Sequence, residues 1–312
     1  MSAVLNSVLP LFALVLLGYA AMRFNVLSGA GLAGLNRFVY YFALPVMLFF
    51  IFARAPVGEL FDWRLIAGYS GASVTVFALT MLAGAMLFRG RTLGERTVVA
   101  AGASYSNAAY LGVPLAIGAL GPAAGPPTGL ILLADNLILI TLIMGLLEAS
   151  AGAGARPHRL LVKVIGGFAR NPFMLGMILG ALWGGLALPL PEPVERFGDL
   201  LGGAAGPCAL FALGGSLYGR PMAEGRAEVA LASLFKLFLH PAIAAVLCFA
   251  VLDLPRDLAI LAVLIASLPA GANIYVLAAQ YDAAVLRAST IVLVTTGLAV
   301  LSVSGLLIAF TG

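Results

Sequence analysis

Asn107 and Asn273 each sit at the middle of an apolar stretch, beside residues that break helices. The first stretch reads Ala103-Ser104-Tyr105-Ser106-Asn107-Ala108-Ala109-Tyr110-Leu111-Gly112-Val113-Pro114, and the second Ser267-Leu268-Pro269-Ala270-Gly271-Ala272-Asn273-Ile274-Tyr275-Val276-Leu277. Side-chain amides at Asn107 and Asn273, hydroxyls at Ser104, Ser106 and Ser267, and the rings or phenols of Tyr110 and Tyr275 suit a carboxylate. Each break also starts a half-helix whose N-terminus carries about half a positive charge and exposes N–H groups to an anion. Gly112, Pro114, Pro269 and Gly271 set the geometry of the breaks rather than touch a ligand. For either Asn alone the bland alternative is equally good: the amide mends its own helix by bonding orphan carbonyls. The matched pair favours the binding role.

Three ionisable side chains lie deep in apolar runs: Asp135, Lys236 and His240. A charge inside a membrane costs several kcal/mol, so such groups are functional suspects. At about 1.5 Å per residue, Asp135 lies roughly 10 Å below one surface, and His240 sits within roughly 4 Å of the same depth. Lys236 has a stem long enough to snorkel toward the other surface. An Asp135–Lys236 ion pair and a cavity-facing Asp135 with Asn136 are both open. For His240 the bland role is to cap the backbone around Pro241. Asp135, Asn136, Lys236 and His240 are the candidates for proton binding or gating.

Breaks of this kind need a membrane to be informative. The chain has 312 residues, of which 62% are hydrophobic and 10% charged, with a mean hydropathy of +1.09. A soluble domain carries about 25% charged residues, so the chain is an integral membrane protein. Hydrocarbon supplies no water to a severed backbone bond, and breaks are tolerated only where they are buried in protein or line a cavity. Corresponding breaks in two halves mark a transporter's binding site. Apolar runs predict ten spans, roughly 3–22, 31–53, 63–88, 97–119, 128–148, 171–188, 199–219, 229–252, 257–280 and 285–310. The first reads as a retained helix rather than a signal peptide.

With the N-terminus outside, Arg23, Arg37, Arg89, Arg91, Arg96, Arg156, Arg159, Lys163, Arg170, Arg220, Arg226 and Arg287 face inward, and Arg54, Arg64, Arg196 and Arg256 outward. That bias of 12 to 4 places both termini outside. The net charge of +4 therefore serves topology, and no nucleic-acid partner is implied. Residues 156–170 form a basic strip at the inner surface. The 149–170 connection divides the chain into halves of five spans, which then have opposite orientations. Pro45 and Pro207 fall in the second span of each half, and the interval from Pro to Asn is 62 residues in one and 66 in the other.

Cys208 and Cys248 lie in apolar runs, with no CxxC or metal-ligand spacing, so no metal or cofactor is expected. His158, His240 and the two cysteines make no nucleophile–base or metal constellation, and no HExxH occurs, which disfavours an enzyme. Trp63 and Trp183 fall at span ends as interfacial anchors. Gly31 with Gly34, Gly180 with Gly184, and the run 202–206 read as close-packing surfaces.

Leu35-Asn36-Arg37-Phe38-Val39-Tyr40-Tyr41-Phe42-Ala43-Leu44-Pro45 resembles the second-helix motif of the auxin efflux carrier family. Ser106-Asn107 with Gly112-Val113-Pro114-Leu115, then Asn171-Pro172, then Pro207 with Leu213-Gly214-Gly215 are similar to its fourth, sixth and seventh helices. The run from Leu268 to Tyr281 resembles its ninth. The resemblance implies an all-α membrane fold of ten helices, two inverted five-helix repeats with broken crossover helices 4 and 9, related to bile-acid symporters and NhaA-type antiporters. It implies a scaffold domain over 1–55 and 160–220 (helices 1, 2, 6 and 7) and a transport domain over 60–150 and 226–312 (helices 3–5 and 8–10). It also implies a homodimer joined through the scaffold, and a small organic anion carried across the plasma (bacterial inner) membrane. The chain lacks the long cytoplasmic loop of the plant carriers, which favours a prokaryotic type.

The expectation is a secondary transporter, most simply an exporter, of small carboxylates such as dicarboxylates or auxin-like acids. The alternative is a sodium- or proton-coupled symporter or antiporter on the same skeleton. Neither break contains Asp or Glu, which disfavours a cation site there.

Overall fold

A computed structural model describes residues 9–55, 61–151, 166–167, 169–219 and 225–311. The basic strip 156–170 lies largely outside them, as do His158, Arg220 and the start of the first expected span. Regular structure among the described residues is helical throughout. Helix α1 is Leu9–Arg23, α2 Gly29–Ala53, α3 Trp63–Leu87, α4 Leu93–Ser104, α5 Ala108–Leu120 and α6 Pro122–Ser150. Then follow α7 Pro172–Gly185, α8 Glu192–Leu217, α9 Arg226–Val251, α10 Arg256–Ala266, α11 Asn273–Gln280 and α12 Val285–Thr311.

Six of these, α2, α3, α6, α8, α9 and α12, are long and apolar enough to cross a bilayer, a crossing needing about 20 residues. The chain is a multi-pass membrane protein. Helices α4, α5, α10 and α11 are shorter because they are the halves of the two interrupted stretches, stopping and restarting around Tyr105–Asn107 and Ser267–Ala272.

Three prolines inside spans are accommodated in one repeated way, whereas Pro207 of α8 follows a helix interruption at Ala204. A π-helical turn at Val39–Ala43 precedes Pro45, one at Ala108–Gly112 precedes Pro114, and one at Phe235–Leu239 precedes Pro241. Proline has no N–H and its ring crowds the carbonyl four residues back. Widening the preceding turn to an i→i+5 register moves that carbonyl away. A further π turn, Asp135–Ile140, has no proline after it. Lys236 lies in one of these turns and Asp135 with Asn136 in another.

The chain forms two compact units, one of Met1–Asp62, Ala109–Leu130 and Lys163–Tyr218, the other of Trp63–Ala108, Ile131–Val162 and Gly219–Gly312. In the first unit, glycines bring backbones into contact. A Cβ on Gly176 would lie 2.4 Å from the Pro45 carbonyl oxygen, and one on Gly180 2.3 Å from that of Phe49, so α7 rides directly on α2. Likewise a Cβ on Gly18 would meet the Phe211 oxygen at 1.9 Å and one on Gly214 the Val15 oxygen at 1.8 Å, joining α1 to α8. Lipid gives helices no hydrophobic reason to associate, so this contact area is what holds them. Gly34, expected in such a surface, has nothing within 4 Å of an added Cβ, and Gly31 meets only its own preceding turn.

In the second unit, ion pairs tie three helix starts together. Arg287 of α12 donates twice to Glu228 of α9 at 2.8 Å and also to Glu95 of α4, while Arg91 reaches Glu228 at 2.9 Å. Glu95 doubles as the capping-box acid that accepts the Thr92 N–H. The interior of this unit carries the polar residues considered next.

Candidate functional site

The two interruptions meet. The Asn107 N–H donates to the Pro269 carbonyl at 2.9 Å, the Gly271 N–H donates to the Tyr105 carbonyl at 3.0 Å, and Ser106 and Ala270 face each other as one antiparallel bridge. Each stretch thus answers part of the backbone demand created by the other's rupture. Ala270 N–H is taken up by the Thr295 hydroxyl of α12 at 3.1 Å. A Cβ on Gly271 would fall 2.6 Å from the Tyr105 ring, so glycine is required for the approach.

Lys236 is fully buried and reaches this meeting point. Its Nζ donates to Ser106 Oγ at 2.8 Å and to the Ala266 carbonyl at 2.8 Å, and lies 2.9 Å from His240 Nδ1. His240 Nε2 is 3.1 Å from Ser73 Oγ, so its ring serves side chains rather than the backbone near Pro241. Asp135, 1% exposed, accepts the Tyr69 hydroxyl at Oδ2 at 3.1 Å. Tyr69 also interacts with Ser106 and Ser73, which places it between Asp135 and the Lys236–His240 pair. Asp135 and Lys236 are therefore linked through hydroxyls and act on each other through space, with no direct ion pair among the described residues.

The candidate amides differ. Asn107 is 4% exposed, and its Nδ2 is a buried donor with no partner among the described residues. It does not mend its own helix. Asn273, at the start of α11, is exposed, and its Nδ2 lies 3.5 Å from the Tyr105 hydroxyl. Asn136 does bond its own helix, donating to the Leu132 carbonyl at 2.7 Å. Ser104 and Ser267 also bond carbonyls of their own helices, of Ala100 and Leu264. Tyr275 is half-buried on α11. Tyr110, Gly112 and Pro114 fall in the first unit, where Pro114 lies against the Gly206 position of α8.

Tyr69, Ser73, Tyr105 and Thr295 complete the arrangement, and residue type alone does not single them out. The available signal was Tyr69 and Ser73 four residues apart in an apolar span, hence on one helix face. Among the described residues no group of three or more His, Cys, Asp or Glu could hold a metal ion.

Bilayer-length helices around a buried polar centre, with ruptured helices meeting inside it, describe the architecture of a membrane carrier. The model of the membrane transport protein family matches residues 3–307. The chain belongs to that family, the auxin efflux carriers that its motifs resemble. A protein of Rhizobium meliloti (strain 1021) named "Putative malonate transporter" is 36% identical over 311 residues, 98% of this chain and 96% of that one. An "Uncharacterized transporter" of Methanothermobacter thermautotrophicus is 29% identical over 310 residues, 95% of each chain. "Auxin efflux carrier component 3" of Arabidopsis thaliana is 29% identical over 147 residues, 46% of this chain and 22% of that protein. The protein is a membrane transporter and not an enzyme.

Proposed function

We propose that the protein is a secondary carrier of small organic carboxylate anions, binding them where the two interruptions meet and working by alternating access. The observation that carries this reading is the Asn107 amide: a buried Nδ2 with no partner among the described residues, beside the paired backbone of Tyr105–Asn107 and Pro269–Gly271. A buried donor left unsatisfied costs about 1–3 kcal/mol, a cost that a carboxylate oxygen would remove. Ser106, Asn273 and Tyr275 complete the proposed site within the second unit, with Pro269 and Gly271 shaping it, while Tyr110, Gly112 and Pro114 of the first unit are candidates on the sequence alone. Lys236 supports an anion over a cation, because an ammonium already sits at the meeting point. Malonate is the natural first ligand, from the name of the Rhizobium relative.

The proposed frame is ten spans in two inverted repeats. The contacts of α1 with α8 and of α7 with α2 support it. If α1 and α2 open one repeat and α7 and α8 the other, these two contacts exchange under the repeat symmetry. The scaffold would be 1–55 and 160–220 and the moving part 60–150 and 226–312, although close contacts group 109–130 with the scaffold residues. We place the protein in the plasma (inner) membrane with both termini outside, on the 12-to-4 distribution of basic residues, and as a dimer through the scaffold. A monoanion leaving a negative-inside cell gains about 2.3 kcal/mol per 100 mV, enough to drive export.

The test is malonate exchange in proteoliposomes with Asn107→Ala and Asn273→Ala. Both variants should stay monodisperse and membrane-inserted, and both should lose exchange. Exchange at the wild-type rate in both would reject the site.

A further inference from the structure

Asp135 is a buried carboxylate with one oxygen engaged and one idle. Oδ2 accepts the Tyr69 hydroxyl, and Oδ1 has no partner among the described residues. Lys236 makes no hydrogen bond to it, its protons pointing to Ser106, Ala266 and His240, but its charge acts on the carboxylate through space and favours the ionised form while the meeting point is empty. Among the described residues, the other titratable groups facing this turn are Tyr69 from α3, Tyr105 from the first interruption, and His240 from α9, which is shared with Lys236. Toward the helix starts of the same unit, Arg91, Glu95, Glu228 and Arg287 are paired with one another, and Glu148 at the end of α6 is held by Tyr281.

A second path leads from Asp135 to the proposed anion site. Tyr105 interacts with Asn136, the neighbour of Asp135, and its hydroxyl meets the Asn273 amide. A carboxylate held by Asn107 and Asn273 would therefore stand close to the Asp135 carboxylate in a low-dielectric interior and compete with it for the Lys236 charge. Two like charges sharing such a site do not both stay ionised.

We propose that Asp135 is a proton-binding site coupled to the substrate, taking one proton from solvent onto its carboxylate when an anion occupies the meeting point and releasing it with that anion. This rests on the carboxylate-carrier reading. Its consequence is that each dianion travels with one proton and moves one net negative charge instead of two.

The experiment mixes purified protein with malonate in weakly buffered detergent solution containing a pH-indicator dye, between about pH 7 and 9, where both malonate carboxyls are ionised. Calorimetry measures Kd in parallel. Wild type should take up about one proton per malonate, and Kd should rise about tenfold per pH unit. In Asp135→Asn both the proton uptake and the pH slope should vanish. Tyr69→Phe, Tyr105→Phe and His240→Gln each remove one other titratable neighbour, and uptake should persist in each. Should Asp135→Asn fail to fold, difference infrared spectra with 13C-labelled malonate decide between Asp135 and the Lys236 amine: a protonated-carboxyl band at the unlabelled frequency should appear on binding, and uptake without that band overturns the assignment. Malonate binding without proton uptake overturns the coupling and leaves the carrier reading standing. Uptake that survives in Asp135→Asn, or that disappears in His240→Gln, overturns the assignment to Asp135. Failure to bind malonate at any pH overturns the carrier reading together with the coupling.

Discussion

The Lys236 ammonium donates to the Ala266 carbonyl at 2.8 Å, on the last turn of α10. A helix C-terminus carries partial negative charge, and a cation there is favourable. Because the same ammonium also bonds Ser106, one side chain fastens both interruptions.

Lys236→Met should loosen that fastening. The Ala266 and Ser106 oxygens would each lose a charged donor in a dry interior, at about 1–3 kcal/mol per group. A lower melting temperature in a fluorescence thermal assay is expected. Lys236→Arg should not restore it, since a planar guanidinium cannot aim protons at Ser106, Ala266 and His240 together.

Asn107→Asp is close to isosteric and should fold. It replaces a free donor with a negative charge where we place an anion. Malonate affinity should fall by at least the roughly 100-fold that corresponds to about 2.7 kcal/mol, and more than in Asn107→Ala. Calorimetric titration of the two variants side by side decides this.

Gly271→Ala should fail by collision. The added methyl would lie 2.6 Å from the Tyr105 ring, and overpacking of this kind costs about 1–3 kcal/mol. In the double variant with Tyr105→Leu the loss should be smaller than the sum of the two single losses, as contacting residues couple. Strict additivity in the thermal assay would contradict the contact.

Gly180→Leu should separate α7 from α2 and abolish monodisperse protein in size-exclusion chromatography, because even a methyl would press on the Phe49 carbonyl at 2.3 Å. Gly34→Ala, with nothing within 4 Å, should elute unchanged.

Much of this was legible in residue types. Asn107 and Asn273 beside prolines and glycines located both interruptions, because a severed backbone in lipid has few tolerable surroundings. Asp135, Lys236 and His240 stood out because burying charge is costly. Their wiring was not legible. Depth along a span left an Asp135–Lys236 pair open, whereas Tyr69 and Ser106 stand between the two side chains, and which helix faces oppose each other is a tertiary fact. Gly180 fulfilled its packing signal while Gly34 did not, since a small residue permits a close approach without supplying a neighbour. The π turns were invisible because they change register without changing composition.

Those turns have a geometric effect beyond easing prolines. One surplus residue per turn rotates whatever follows by about 100° relative to an ordinary α-helix. The phase of α9 is therefore reset between Lys236 and Pro241. An apolar wheel drawn for its first half points the second half in the wrong direction. Excising one residue from Phe235–Leu239 would swing His240 out of reach of Ser73, an effect that no point replacement along the same stretch reproduces.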